Sequence, residues 1–88
     1  MPSAELTIPN EEGLHARPAA KFVKIANEYP CEVWVSKDDE EINGKSIMGL
    51  MMLAAAQGSV VELTTEGEQA EDALTRLSTL IESGFESE

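Results

Sequence analysis

With 88 residues, seventeen acids against six bases and a formal net charge of −11, the chain has room for one small domain, residues 1–88, in which nearly every apolar position must serve a single core. Its negative charge repels nucleic-acid backbones and anionic membranes and favours partners with basic surfaces, and one cysteine, Cys31, excludes an internal disulfide framework. The opening "MPSAELTIP" has no basic segment leading an apolar run, and the longest apolar stretch, Ile47 to Ala56, is about half a membrane span. A cytoplasmic protein that makes no direct membrane contact is expected.

The elements follow in chain order. "AELTI" alternates, with Ala4, Leu6 and Ile8 on one side and Glu5 and Thr7 on the other, the period of a half-buried strand. Pro9 to Gly13 breaks it. From Pro18, the apolar residues Ala19, Phe22, Val23 and Ala26 recur at helical spacing with Lys21, Lys24 and Asn27 turned away, and Tyr29-Pro30 closes the helix. "CEVWVSK" reads as a second strand, with Val33 and Val35 inward and Trp34 directed to an open face; Glu41 to Asn43 is a short third strand before the Asn43-Gly44 turn. Ser46 stands ahead of "IMGLMMLAAAQG", read as a helix stopped by Gly58. "SVVELTT" is a fourth strand with Val61 and Leu63 inward, and Ala70, Ala73, Leu74, Leu77, Leu80 and Ile81 mark a last helix ended by Gly84.

The order β-α-β-β-α-β-α with alternating strands predicts an α/β (α+β) two-layer open-faced sandwich. Its antiparallel sheet is covered on one face by three helices.

The single histidine, His15, falls where a glycine turn meets a helix. Unpaired amides and the positive end of the helix dipole favour an anion there and leave a neutral, nucleophilic ring in preference to a cation. Arg17 adds a planar fork suited to phosphate oxygens, Gly13 lets backbone come close, Ala16 keeps the approach open, and Pro18 sits where its missing N–H costs nothing. Such a group can accept a phosphoryl group, hold it and release it. One histidine and one distant cysteine make no metal ligand set, no hydrolase triad can be assembled, and no cofactor is called for. "GKS" at residues 44–46 is no phosphate-binding loop, because Asp39 stands where that motif needs glycine.

Ser46 reads as a helix cap, a role compatible with a regulatory phosphate at the same helix end. The helix after it is apolar nearly all round, so part of it must face solvent as a docking patch that flexible methionines can adapt to unlike partners. Leu50 and Leu53 are expected inside, with Ile47, Met48 and Met51 more exposed.

"GLHARPAA" (Gly13 to Ala20), "GKSIMGLMMLAAAQG" (Gly44 to Gly58) and the late "EDALTRLSTLIESGF" resemble HPr, the histidine-containing phosphocarrier family of the bacterial phosphoenolpyruvate:sugar phosphotransferase system. The resemblance implies strand order 1-4-2-3 and a stoichiometric phosphocarrier, not an enzyme. It implies that His15 takes a phosphoryl group from Enzyme I and passes it to sugar-specific IIA domains with Arg17 assisting, and that Ala16, Ala20, Ile47, Met48 and Met51 meet the partners. It also makes Ser46 the target of an HPr kinase/phosphorylase whose product serves a catabolite-control regulator. A carrier that must release each partner is expected to be a monomer. Glu11 and Glu12 depart from the small polar residue usual before the glycine, and both are expected to point to solvent. Two other readings stay open: a regulatory protein-binding module that uses Ser46 and its apolar patch, and a nitrogen-type phosphotransfer carrier without sugar uptake.

Overall fold

A computed structural model describes residues 1–88. The elements are β1 (Ser3–Thr7), α1 (Ala16–Ala26), β2 (Glu32–Lys37), β3 (Glu40–Asn43), α2 (Ile47–Met52), β4 (Val60–Glu66) and α3 (Ala70–Glu82). The four strands form one antiparallel sheet in the order β1-β4-β2-β3, the order that the resemblance implies.

Alternation decides which side chains the sheet turns inward. Leu6, Val33, Val35, Val61 and Leu63 are buried against the helices, where they join Phe22, Leu50, Leu77, Leu80 and Ile81 in one core of 22 residues. Each large side chain removed from water there contributes about 1.5–3 kcal/mol. Cys31 is buried within the same core. Thr65, the one polar residue on the inner face that is fully enclosed, is satisfied by donating its hydroxyl to the Ala70 carbonyl at 2.7 Å.

The other face of the sheet is open. Trp34 lies there half-buried, paired across the strands with Asn43 and Thr64, as its alternation predicts. Glu5 stands opposite Glu62, and Glu32 opposite Glu66. Such like-charge pairs oppose strand pairing, and the core beneath them outweighs that cost.

Helix α3 ends in a turn that satisfies its last carbonyls. Gly84, at φ +71°, donates its N–H to Ile81, and Phe85 donates to Leu80 at 2.8 Å. The buried Phe85 ring then anchors the residues that follow. Arg76 forks onto Glu88 at 2.9 and 3.0 Å and reaches Glu28 at 2.7 Å, tying that segment to the end of α1.

One expected element is shorter than its sequence pattern. Helix α2 was read as far as Gly58 but ends at Met52. Ala54 takes a positive φ of 55°, which breaks the helix, and the Ala55 carbonyl leaves the helical ladder to accept the Leu14 N–H at 2.9 Å. An alanine-rich run has high helix propensity, but the bond across the fold wins over it.

Candidate functional site

The loop from Asn10 to His15 is fixed from three sides. Asn10 closes the turn by accepting the Gly13 N–H at its carbonyl and donating its side-chain amide to the Gly13 carbonyl at 3.1 Å. The Leu14 side chain is buried in the core. Gly13, at φ +64°, packs against the 54–56 segment so closely that a Cβ would lie 2.4 Å from the Ala55 carbonyl oxygen. Only glycine fits that contact and that backbone conformation.

His15 follows directly and is exposed. It is the N-cap of α1, with φ −78° and ψ −174°, and its ring makes no cap hydrogen bond. The Ala19 N–H closes the first helical turn on the His15 carbonyl at 2.9 Å. Ala16 and Arg17 lie in the first turn, where no helical carbonyl precedes them, so their N–H groups have no backbone partner, and Pro18 has no N–H at all. These two donors face the end of the helix beside an exposed imidazole, an arrangement suited to an anion. Arg17 is exposed too and takes part in no salt bridge.

His15 borders a surface depression of about 280 Å³, which it shares with Glu11, Glu12, Leu14, Met51 and Ala54 to Ala56. The ring is neither sealed in the core nor hidden. Glu11 and Glu12 are both exposed, as expected, yet both line this depression instead of lying clear of it. Arg17 borders a second hollow of about 200 Å³ with Glu12, Pro18, Lys21 and Glu86.

Ser46 is the N-cap of α2. Its hydroxyl accepts the Gly49 N–H at 3.0 Å, and its carbonyl accepts the Leu50 N–H at 3.1 Å. The cap read from the sequence is present, and Gly49 leaves space for it, since a Cβ there would come within 3.3 Å of the Ser46 hydroxyl. Along α2, Leu50 and Leu53 are buried while Ile47, Met48 and Met51 are exposed, as the pattern predicts; Met52 is exposed at 69% and belongs to the same apolar surface. Ala16 and Ala20 are exposed on α1. Met51 joins the two regions, because it borders both the His15 depression and the surface formed with Met48 and Met52.

Sequence reading missed the role of Ala54 to Ala56. That run looked like the end of a helix, and only its approach to Gly13, more than forty residues away in the chain, makes it the wall of the His15 depression. Leu14 was also passed over, although a leucine between glycine and histidine is the natural anchor for a turn whose next side chain must project outward.

Residues 2–83 match the family described as "PTS HPr component phosphorylation site". The chain belongs to the HPr family. It is 53% identical over 87 residues to the phosphocarrier protein HPr of Pseudomonas aeruginosa, an alignment that covers 98% of this chain and 97% of that protein. The crystal structure of HPr-C-His from Thermoanaerobacter tengcongensis superposes with a TM-score of 0.95 at 48% identity, over 100% of this chain and 99% of that one. Crh, a Bacillus subtilis catabolite-repression protein whose crystal structure is a domain-swapped dimer, matches with a TM-score of 0.78 at 39% identity, over 96% and 97% of the two chains. The HPr fold, an open-faced sandwich of four antiparallel strands under three helices, is therefore the fold of this chain, and its family is that of the phosphocarriers of the phosphotransferase system. No helix is long and apolar enough to cross a membrane.

Proposed function

We propose that residues 1–88 act as one cytoplasmic carrier domain. His15 accepts a phosphoryl group from phospho-Enzyme I, itself charged by phosphoenolpyruvate, and delivers it to IIA domains of sugar permeases. The observation that supports this most is the exposed imidazole at a helix start whose Ala16 and Arg17 N–H groups have no backbone partner. A ring nitrogen attacks the donor's phosphorus as the donor's bond breaks, and the reverse exchange hands the group to the acceptor. Those two amides and the Arg17 guanidinium would offset the charge of the resulting dianion. The chain is a stoichiometric participant with no substrate pocket of its own, and it works as a monomer so that each partner finds the same face free.

Ala16, Ala20, Ile47, Met48 and Met51 form the docking surface around His15, and the thioethers of Met48 and Met51 repack against the different partners. Ser46 is the regulatory site. A phosphate there would keep an acceptor at the start of α2 and add charge beside the apolar surface, which changes what partners read without unfolding the helix. An HPr kinase/phosphorylase would write that mark and a catabolite-control regulator would read it. The likeness to Crh supports the regulatory part.

The test is direct. Incubated with Enzyme I and phosphoenolpyruvate, the protein gains one acid-labile phosphoryl group by mass, and His15→Ala gains none. An unmodified wild type, alongside an Enzyme I shown to be active on another carrier, refutes the reading. For Ser46 the counterpart is an acid-stable adduct formed with ATP and the kinase and missing from Ser46→Ala.

A further inference from the structure

Glu12 is the one residue that borders both hollows at the start of α1, the depression shared with His15 and the one shared with Arg17. The other titratable groups around them are Glu11 on the His15 side, and Lys21 and Glu86 on the Arg17 side. Lys21 already donates to the Phe85 carbonyl at 2.8 Å, and Arg17 has no carboxylate within ion-pair distance. A carboxylate thus flanks both the hollow of the proposed phosphoryl acceptor and the hollow of the guanidinium proposed to stabilise it.

We infer that Glu12 sets the phosphoryl-transfer potential of this carrier. Its carboxylate repels the dianion on His15 and competes with that dianion for Arg17, so phosphorylated His15 is a stronger donor than it would be beside an uncharged residue. Glu12 forms no bond in either step. When the group leaves, the His15 N–P bond breaks as the acceptor's bond to phosphorus forms, and the imidazole keeps the electron pair. Glu11 borders the His15 depression alone, so its repulsion is not reinforced by competition for Arg17.

This inference rests on the carrier reading above, and one experiment separates the two. Wild type, Glu12→Gln and Glu11→Gln are each equilibrated with Enzyme I in a fixed ratio of phosphoenolpyruvate to pyruvate, and the phosphorylated fraction is read by mass. Glu12→Gln should raise the equilibrium constant for the phosphorylated chain about three- to tenfold at low ionic strength. The gain should fall below about twofold near 0.5 M salt, and Glu11→Gln should move it less. A purely structural role for this exposed residue would alter melting without a salt-dependent equilibrium. If all three proteins are phosphorylated but Glu12→Gln matches wild type, or differs by a factor that salt does not change, Glu12 has no such role and the carrier stands. If none accepts a phosphoryl group from active Enzyme I, the carrier reading falls and takes this inference with it.

Discussion

The starts of α1 and α2 treat the same unpaired amides in different ways. At α2 the Ser46 hydroxyl accepts the N–H of the third helical residue, Gly49, and the helix end is closed by its own chain. At α1 the cap position is His15, its ring makes no such bond, and the third helical residue is Pro18, which has no N–H to give. The backbone of His15 has the extended conformation of a cap, so the geometry for capping exists without the acceptor. A helix start left open in this way forgoes about 1 kcal/mol that a side-chain cap would contribute. In exchange the amides stay available to an anion from outside. One helix start serves stability and the other keeps a vacancy for the chemistry proposed here.

Breaking α1's part of that contrast gives the largest effect. His15→Ser should remove phosphoryl acceptance entirely. It should also stabilise the fold by about 0.5–1 kcal/mol, since a hydroxyl at that position can accept the Arg17 N–H. Thermal melting and the Enzyme I assay on the same sample check both halves, and a variant that melts lower would mean that the α1 amides are not open to a cap.

Gly13→Ala comes next. The added methyl would meet the Ala55 carbonyl oxygen at 2.4 Å in a left-handed conformation, which predicts a loss of about 2–3 kcal/mol. Transfer should slow as well, because the turn carrying His15 must move. Chemical denaturation measures the first effect, and the rate of phosphoryl acceptance the second.

Ser46→Ala sharpens the comparison from the other side. It should cost about 1 kcal/mol and leave acceptance of a phosphoryl group on His15 near wild type, whereas Ser46→Asp should keep most of the cap and its stability. Equal melting of wild type and Ser46→Ala would show that the 3.0 Å contact to Gly49 does not hold the helix end.

The smallest effect lies away from both helix starts. Hydrogen bonds from the Arg76 guanidinium hold the Glu88 carboxyl below the usual carboxylate range. A lowered pKa stabilises the folded state above the ordinary carboxylate value, and that contribution disappears as pH falls through the lowered one. Glu88 is exposed and Arg76 only half-buried, so solvent screens the pair and the effect is small. Wild type should melt slightly above Glu88→Gln at neutral pH, and the gap should close on acidification; a gap that widens in acid contradicts the sign.

Much of this is legible in the sequence. The period-2 and period-3.6 patterns placed Leu6, Val33, Val35, Val61 and Leu63 on the inner face of the sheet and Ala19, Phe22, Leu77 and Leu80 on the helices, because burial within one element repeats with that element's own geometry. The position of His15 at a helix start, the Ser46 cap and the split between buried Leu50 and exposed Met48 are equally local, since each depends on residues within one or two turns. The strand order is not local, and in the sequence it rested on likeness to the HPr family alone.

What only the tertiary structure decided are the contacts made across long stretches of chain. The carbonyl of Ala55 accepting the Leu14 N–H, the early end of α2 at Met52 and the wall that Ala54 to Ala56 give the His15 depression all arise from that one meeting. The same is true of Glu12, which borders the His15 and Arg17 hollows only because the fold brings 54–56 and 84–86 beside the start of α1. An alanine-rich run carries a local preference for helix, and nothing in it reports that the Leu14 N–H in a distant loop offers its carbonyl a partner. Local free energies are written in neighbouring residues, whereas a bond between distant loops exists only once the core has set them side by side.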